Sequence, residues 1–304
     1  MNITRVGEGK VYLIAGGGKT YTDVAAKFCR TERSVEDIIG SPQNLKLLHD
    51  IVSSNHKAAM EFDDFIFGIE GYARVTEIQL VRKRHASYMI KSGRNELHGK
   101  RSFDVVIPKS IEDFTARIPL EASDLLLFEK EANEDGHHNQ VWLNDLVPDI
   151  DKYNIMFTYN DKTLLDMIER WYDTGLELGK PEEDLRYMKP QATAFKACIK
   201  MNASALKDWW QIRLCNRAQT EIRDLATKIY KLCVEASPDL FIDCGPSCKV
   251  LGYCPEGEQC EQCKGKIPTK KEALQILKLG YEKVDIQNPG LSHYWEYRMQ
   301  EESK

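Results

Sequence analysis

Between Phe65 and Arg94 the sequence prescribes a strand, a helix and a cationic loop in succession, and that succession limits the folds open to the rest of the chain. Phe65-Ile66-Phe67-Gly68-Ile69 is a short apolar run of the kind buried within a sheet. Gly71 is expected to break it, and Ala73, Glu77, Leu80 and Val81 then recur at helical spacing. The next stretch, Gln79 to Arg94 (QLVRKRHASYMIKSGR), carries Arg82, Lys83, Arg84, Lys91 and Arg94. Positive charge is gathered here in a chain whose 42 Lys and Arg are outnumbered by 47 Asp and Glu. Such a cluster calls for an anion. Ser92-Gly93-Arg94 offers a hydroxyl, a backbone N–H that a missing Cβ leaves approachable, and a planar guanidinium fork, donors suited to one phosphate. A helix C-terminus disfavours anions, so side chains and the Ser92-Gly93 backbone are expected to do the holding.

The remaining composition narrows the function. At 304 residues and 42% hydrophobic content, the chain suits one large domain with appendages or two domains. A net charge of −5 argues against a surface built for nucleic acid and leaves room for a small anionic substrate in a local pocket. No apolar run approaches the length needed to cross a bilayer, and MNITRVGEGK is not a hydrophobic signal segment, so no membrane partner and a cytoplasmic location are expected. Nine cysteines, an odd number placed mostly late, read as thiols or metal ligands rather than a disulfide framework.

Along the chain, VYLIAGGGKT at 11–20 has the Gly-Lys-Thr of a phosphate loop, but Leu13 stands where that loop needs its first glycine. A strand with a glycine turn is the better reading. Thr22 or Asp23 is then expected to cap a helix beginning Val24-Ala25-Ala26, and Ser41-Pro42 to open another reaching about Val52. FDVVIP at 103–108 reads as a strand, and from about 109 to 161 the chain turns acidic and irregular, with His137-His138 in its most polar part. Leu164, Leu165, Ile168, Trp171 and Leu176 resume helical spacing. A strand over 193–202 is expected to end at Asn202 as a helix N-cap. A single helix is expected from Ala203 to about Val234, with a core stripe through Leu206, Trp210, Leu214, Ala218, Ile222, Leu225 and Ile229 and with Arg213 and Arg217 beside it. An arginine at the edge of a buried face is costly unless partnered. For Arg217 the sequence offers Glu221 at i+4. Cys244, Cys248, Cys254, Cys260 and Cys263 follow within twenty residues, and Cys244, Cys248, Cys260 and Cys263 have spacing that suits a tetrahedral zinc site. Thr269-x-x-Glu272 then reads as a capping box for a helix to about Lys283.

Read from His56, HKAAMEFDDFIFGIEGYARVTEIQLVRKRHASYMIKSGR resembles the signature region of the flavin-dependent thymidylate synthases, the ThyX family. His56, Glu61, Phe65, Phe67, Gln79, Arg82, Arg84, Ser87, Ser92 and Arg94 stand in the family's register without a gap. Further matches are LRYMKP at 185–190, where Arg186 and Pro190 keep the family's element, and QIRLCNRAQTEIR at 211–223. The resemblance implies an α+β fold, a mixed or antiparallel sheet flanked by helices, with a catalytic domain over 1–236, an insertion at about 109–161 and a Cys-rich extension over 237–304. It implies reductive methylation of dUMP to dTMP, with FAD as cofactor, NADPH and methylenetetrahydrofolate as co-substrates, and a homotetramer with shared active sites. Gln79, Arg82, Ser92, Gly93, Arg94, Arg186 and Arg213 are implied to hold the nucleotide, with Arg213 polarising the pyrimidine as the catalytic residue. His56, Arg82, Lys83, Arg84 and Asn202 are implied to face the flavin.

The departures fall mostly on the flavin side. Lys83 stands in place of a His, Phe62 in place of a His, and Ser204 and Asp208 in place of an Arg and an Asn; Met89, Ile90 and Asn95 also differ. Two other readings therefore stand beside the first: C5 methylation or hydroxymethylation of UMP or dCMP, and a catalytically silent nucleotide-binding paralogue.

Overall fold

A computed structural model describes residues 2–18, 20–92, 103–112, 114–119, 126–129, 140–142 and 156–279. The chain forms two compact units, one built on Asn2–His98, Asp104–Val106 and Pro190–Lys304, the other on Gly99–Phe103 and Ile107–Lys189.

The larger unit is organised on a four-stranded antiparallel sheet with the order Lys10–Ala15, Asp64–Ala73, Ala194–Asn202, Ala86–Ile90. Strand periodicity sorts its side chains. Phe65, Phe67 and Ile69 pair with Met201, Ile199 and Ala197, and all six are buried on one face. Lys196, Cys198 and Lys200 alternate with them and are exposed. The buried face packs against Leu206, Trp210, Ile222, Leu225 and Ile229, each sealed from solvent. Burying one such side chain is worth about 1.5–3 kcal/mol, so this sheet–helix layer carries the unit.

Several local expectations are corrected by tertiary partners. The central strand does not stop at Gly71: Tyr72 pairs with Phe195 and Glu70 with Lys196, which leaves Gly71 as the extra residue of a bulge at φ +74°. Residues Arg82 to Ser92 are not simply a loop, because Ala86–Ile90 adds an edge strand. The helix Thr22–Arg30 is capped by neither Thr22 nor Asp23. Its first N–H groups, on Tyr21 and Thr22, donate instead to the buried Asp63 carboxylate at 2.7 and 3.0 Å. The next long helix, Leu45–Ser53, opens at Asn44, whose side chain accepts from Leu47 N; Ser41 closes the preceding Val35–Gly40 turn. The long helix expected from Ala203 is two helices, Ala203–Arg213 and Thr220–Ala236. Its apolar stripe reads through the break because Leu214 and Ala218 still pack on the core.

Other expectations hold. The Lys10–Ala15 strand runs into Gly16, Gly17 and Gly18, all at positive φ. A Cβ on Gly16 would stand 2.7 Å from the Asp64 carbonyl oxygen. Asn202 caps the following helix, its side chain accepting from Ala205 N at 2.8 Å. Thr269 and Glu272 form the reciprocal capping box of Lys270–Leu279, and the expected continuation to Lys283 lies outside the described residues.

In the smaller unit, Thr115–Pro119 pairs antiparallel with Met156–Asn160, and Leu126–Glu129 with Gln140–Trp142, so the region read as irregular contains strands. His137 and His138 lie outside the described residues. The helix Asp161–Glu177 buries Leu165 and Tyr172, whereas Leu164 and Trp171 of its expected stripe are exposed. Among the described residues no helix is long and apolar enough to cross a membrane.

Candidate active site

The helix Arg74–Leu80 delivers Gln79, and its own start is fixed from across the core. Glu221, buried in the Thr220–Ala236 helix, accepts from Ala73 N at 2.9 Å and from Thr76 Oγ1 at 2.6 Å. Those bonds satisfy donors at a helix N-terminus that has no side-chain cap of its own. Burial raises the Glu221 carboxyl above the ordinary carboxylate range, against the lowering effect of these two bonds.

At the other end of the same helix, Gln79 meets Arg213 in the last turn of Ala203–Arg213. Arg213 Nη1 donates to Gln79 Oε1 at 3.4 Å and Nη2 to the Gln79 carbonyl oxygen at 3.2 Å. The Gln79 amide reaches on to Gln219 Oε1 at 3.2 Å. Arg82 follows one turn beyond, exposed. Burial first, and the Arg82 guanidinium second, hold Arg213 below the usual guanidinium range. Two guanidiniums held in each other's field raise an electrostatic cost that a bound anion removes. The turn carrying Arg82 and Lys83 is fixed by Tyr88, whose hydroxyl lies 2.9 Å from the Leu80 carbonyl and 3.0 Å from that of Lys83. Burial pushes that phenol up to about 12.

Lys83 turns from this pair towards Asp208. The Asp208 carboxylate lies 3.8 Å from Lys83 Nζ and 2.8 Å from Lys57 Nζ, so two departures from the family pattern, Lys83 and Asp208, compensate each other's charge. His56, next to Lys57, is exposed, as is Arg84. Neither Arg82 nor Arg84 has an ion-pair partner among the described residues. Asn202 has its carboxamide oxygen committed to the cap, which leaves its Nδ2 as the group it offers.

Other expected members stand elsewhere. Ser92 is exposed at the end of the edge strand, and Gly93 and Arg94 lie outside the described residues. Arg186 belongs to the smaller unit, where its Nε donates to the Glu183 carbonyl at 3.1 Å. Arg217 does not pair with Glu221, which is committed inside the core; its Nη1 donates to the Glu258 carbonyl of the Cys-rich segment.

The cysteines expected as zinc ligands are all free thiols. Cys244 is buried near Cys233 and donates towards the Ile242 carbonyl. Cys263 neighbours Cys248 and Cys260; burial first, and these two thiols next, push its own thiol up to about 12. Among the described residues no group of His, Cys, Asp and Glu is arranged to hold a metal ion. Arg213, Arg217, Cys215, Cys248 and Cys260 line one cleft of about 310 Å³, so the thiol-rich segment walls the guanidinium site on one side.

The residues that sequence reasoning missed are Glu221 as a positioning group and Asp208 as the partner of Lys83. Asp208 did carry a signal: an acid and a base replaced neutral or weakly basic residues in the same motif set. Glu221 stands inside the QIRLCNRAQTEIR match, but that register does not say that its carboxylate reaches a helix N-terminus far earlier in the chain.

The larger unit thus sets an antiparallel sheet against helices and brings Gln79 and Arg213 together beside Arg82. The family model for thymidylate synthase complementing protein matches residues 16–239. A flavin-dependent thymidylate synthase of Nitratidesulfovibrio vulgaris is 36% identical over 210 residues, covering 69% of this chain and 71% of that one. Its counterpart from Pyrococcus abyssi is 33% identical over 216 residues, 68% and 71% of the two chains. Among solved structures, a UMP/dUMP methylase, PolB of Streptomyces cacaoi, bound with 5-Br dUMP, aligns with a TM-score of 0.53 at 17% identity, over 79% of this chain and 95% of that one. The chain belongs to the flavin-dependent thymidylate synthase family, a family of methyltransferases.

Proposed function

We propose that this protein methylates C5 of a pyrimidine nucleotide reductively, converting dUMP to dTMP with methylenetetrahydrofolate as carbon donor, FAD as cofactor and NADPH as reductant. The observation that carries the reading is Arg213, held by Gln79 in the field of Arg82. That pair meets the central chemical need. Uracil C5 is a poor nucleophile until negative charge on the ring is stabilised, and a fixed guanidinium does this where the charge develops. Arg213 takes that role, and Gln79 fixes its direction through both a side-chain and a backbone acceptor. Arg82 and Ser92 add donors for the nucleotide; Gly93, Arg94 and Arg186 join them on the strength of the family motif.

The donor set fits a flavin dinucleotide. Arg82 and Arg84 are exposed cations without counter-ions among the described residues, which suits a diphosphate, and Lys83 is only half neutralised by a carboxylate it shares with Lys57. His56, Arg82, Lys83, Arg84 and Asn202 would hold it. Bound and reduced, the flavin supplies hydride to the pyrimidine chemistry. Assembly as a homotetramer with shared sites is supported by the outer face of the sheet, where Tyr12, Ile14 and Met89 stand exposed.

The test is a product assay on the purified chain with FAD, NADPH, methylenetetrahydrofolate and, in separate reactions, dUMP, UMP and dCMP. Gain of a methyl group by dUMP is the expected result. Methylation of UMP or dCMP in preference replaces the substrate, and a flavin-loaded protein that methylates none of the three overturns the enzymatic reading.

A further inference from the structure

A groove of about 680 Å³ runs along the helix Thr22–Arg30, and neither Arg82 nor Arg213 lines it. Its walls are apolar and aromatic, including Phe28 and Phe62, both exposed, and His56 lines it too. Exposed aromatic rings facing one groove form a surface that a planar ring covers favourably. Arg30 lines this groove and also a second one of about 350 Å³, whose charged residues are Lys27, Arg30, Arg33, Lys46 and Asp50. Lys27 is taken by Asp23 at 3.1 Å. Arg30, Arg33 and Lys46 are exposed and have no ion-pair partner among the described residues, so they outnumber Asp50 in a chain of net charge −5. An aromatic groove and a cationic one therefore share Arg30 in their walls.

A ligand that fits both has a planar ring joined to a chain of several carboxylates. Of the reactants in the reading above, on which this inference rests, the folate carbon donor alone has that build: an aryl group followed by glutamates, each with a free carboxylate. We infer that the two grooves hold the aryl–oligoglutamate chain of the carbon donor, the ring against Phe28 and Phe62 and the carboxylates along Arg30, Arg33 and Lys46. The three cations lie on different stretches of chain, a helix end, the turn after it and the next long helix, which suits carboxylates spread along a chain better than one compact phosphate.

The test compares 4-aminobenzoyl-pentaglutamate with 4-aminobenzoyl-monoglutamate by calorimetry on the full chain, in wild type and in an Arg30→Ala/Arg33→Ala/Lys46→Ala variant. Wild type is expected to bind the pentaglutamate about tenfold more tightly, a preference that salt weakens and the variant loses. In turnover, the variant should raise KM for the pentaglutamate carbon donor and leave that for the monoglutamate unchanged. Equal affinity for the two fragments in wild type overturns the inference, and so does an equal loss for both in a variant whose circular dichroism is unchanged. Because the fragments carry no transferable carbon, their binding is read without turnover. Absence of methyl transfer from the monoglutamate donor marks failure of the functional reading instead.

Discussion

Glu221 is a buried carboxylate that fixes one end of a helix whose other end meets Arg213. It holds the first turn of Arg74–Leu80, and the last turn of that helix presents Gln79 to Arg213. Removing it leaves the Ala73 N–H and the Thr76 hydroxyl buried without a partner, a cost of about 1–3 kcal/mol for each unsatisfied group. Glu221→Ala is expected to lower the urea midpoint accordingly, and an unchanged midpoint would show that the helix start is held by something else. The pH dependence has a definite sign. Burial raises the folded-state pKa of Glu221, so its contribution to stability is full below the unfolded carboxylate pKa and is lost as pH rises through the raised value. Glu221→Gln, which cannot ionise, should flatten that part of the stability profile. A slope identical to wild type would contradict the assignment.

At the scale of elements, the glycine turn after Lys10–Ala15 is held by the end of the Thr220–Ala236 helix. Gly17 sits at φ +88°, a Cβ there would stand 2.6 Å from Ala236 Cβ, and Gly18 N donates to the Ala236 carbonyl at 3.1 Å. Gly17→Ala is expected to cost about 2 kcal/mol or more from backbone strain and overlap, whereas Gly18→Ala, with open space around its Cβ, should cost only the strain at its own positive φ. Equal midpoints for wild type and Gly17→Ala in thermal melts would contradict this packing. Such elements also show what the sequence made legible. The Phe65–Ile69 strand, the Asn202 cap and the Thr269–Glu272 box were readable because period, cap and partner all lie within a few residues. The break before Thr220 was not, since an apolar stripe continues wherever side chains keep to the core, whether or not the backbone stays helical. Gly71 was misread for a related reason: a glycine marks an irregular backbone position, and only the partner strand decides between an end and a bulge. In the site, the meeting of Gln79 with Arg213 beside Arg82 was legible only through motif register, since these residues lie far apart in the chain, and cysteine spacing does not say which thiols become neighbours.

For the molecule as a whole, charge and geometry divide the labour. The chain carries a net charge of −5, yet Arg82 lies in the field of Arg213 and both Arg82 and Arg84 are exposed, a local arrangement that suits a small anion. The central claim is that Arg213 binds and activates a pyrimidine monophosphate. It is tested most directly by calorimetric titration of dUMP into flavin-loaded wild type and Arg213→Gln. Loss of one charge-assisted contact is worth about 1.5–3 kcal/mol, so the variant is expected to bind dUMP at least tenfold more weakly while retaining its flavin. Undiminished dUMP affinity in Arg213→Gln would contradict the account.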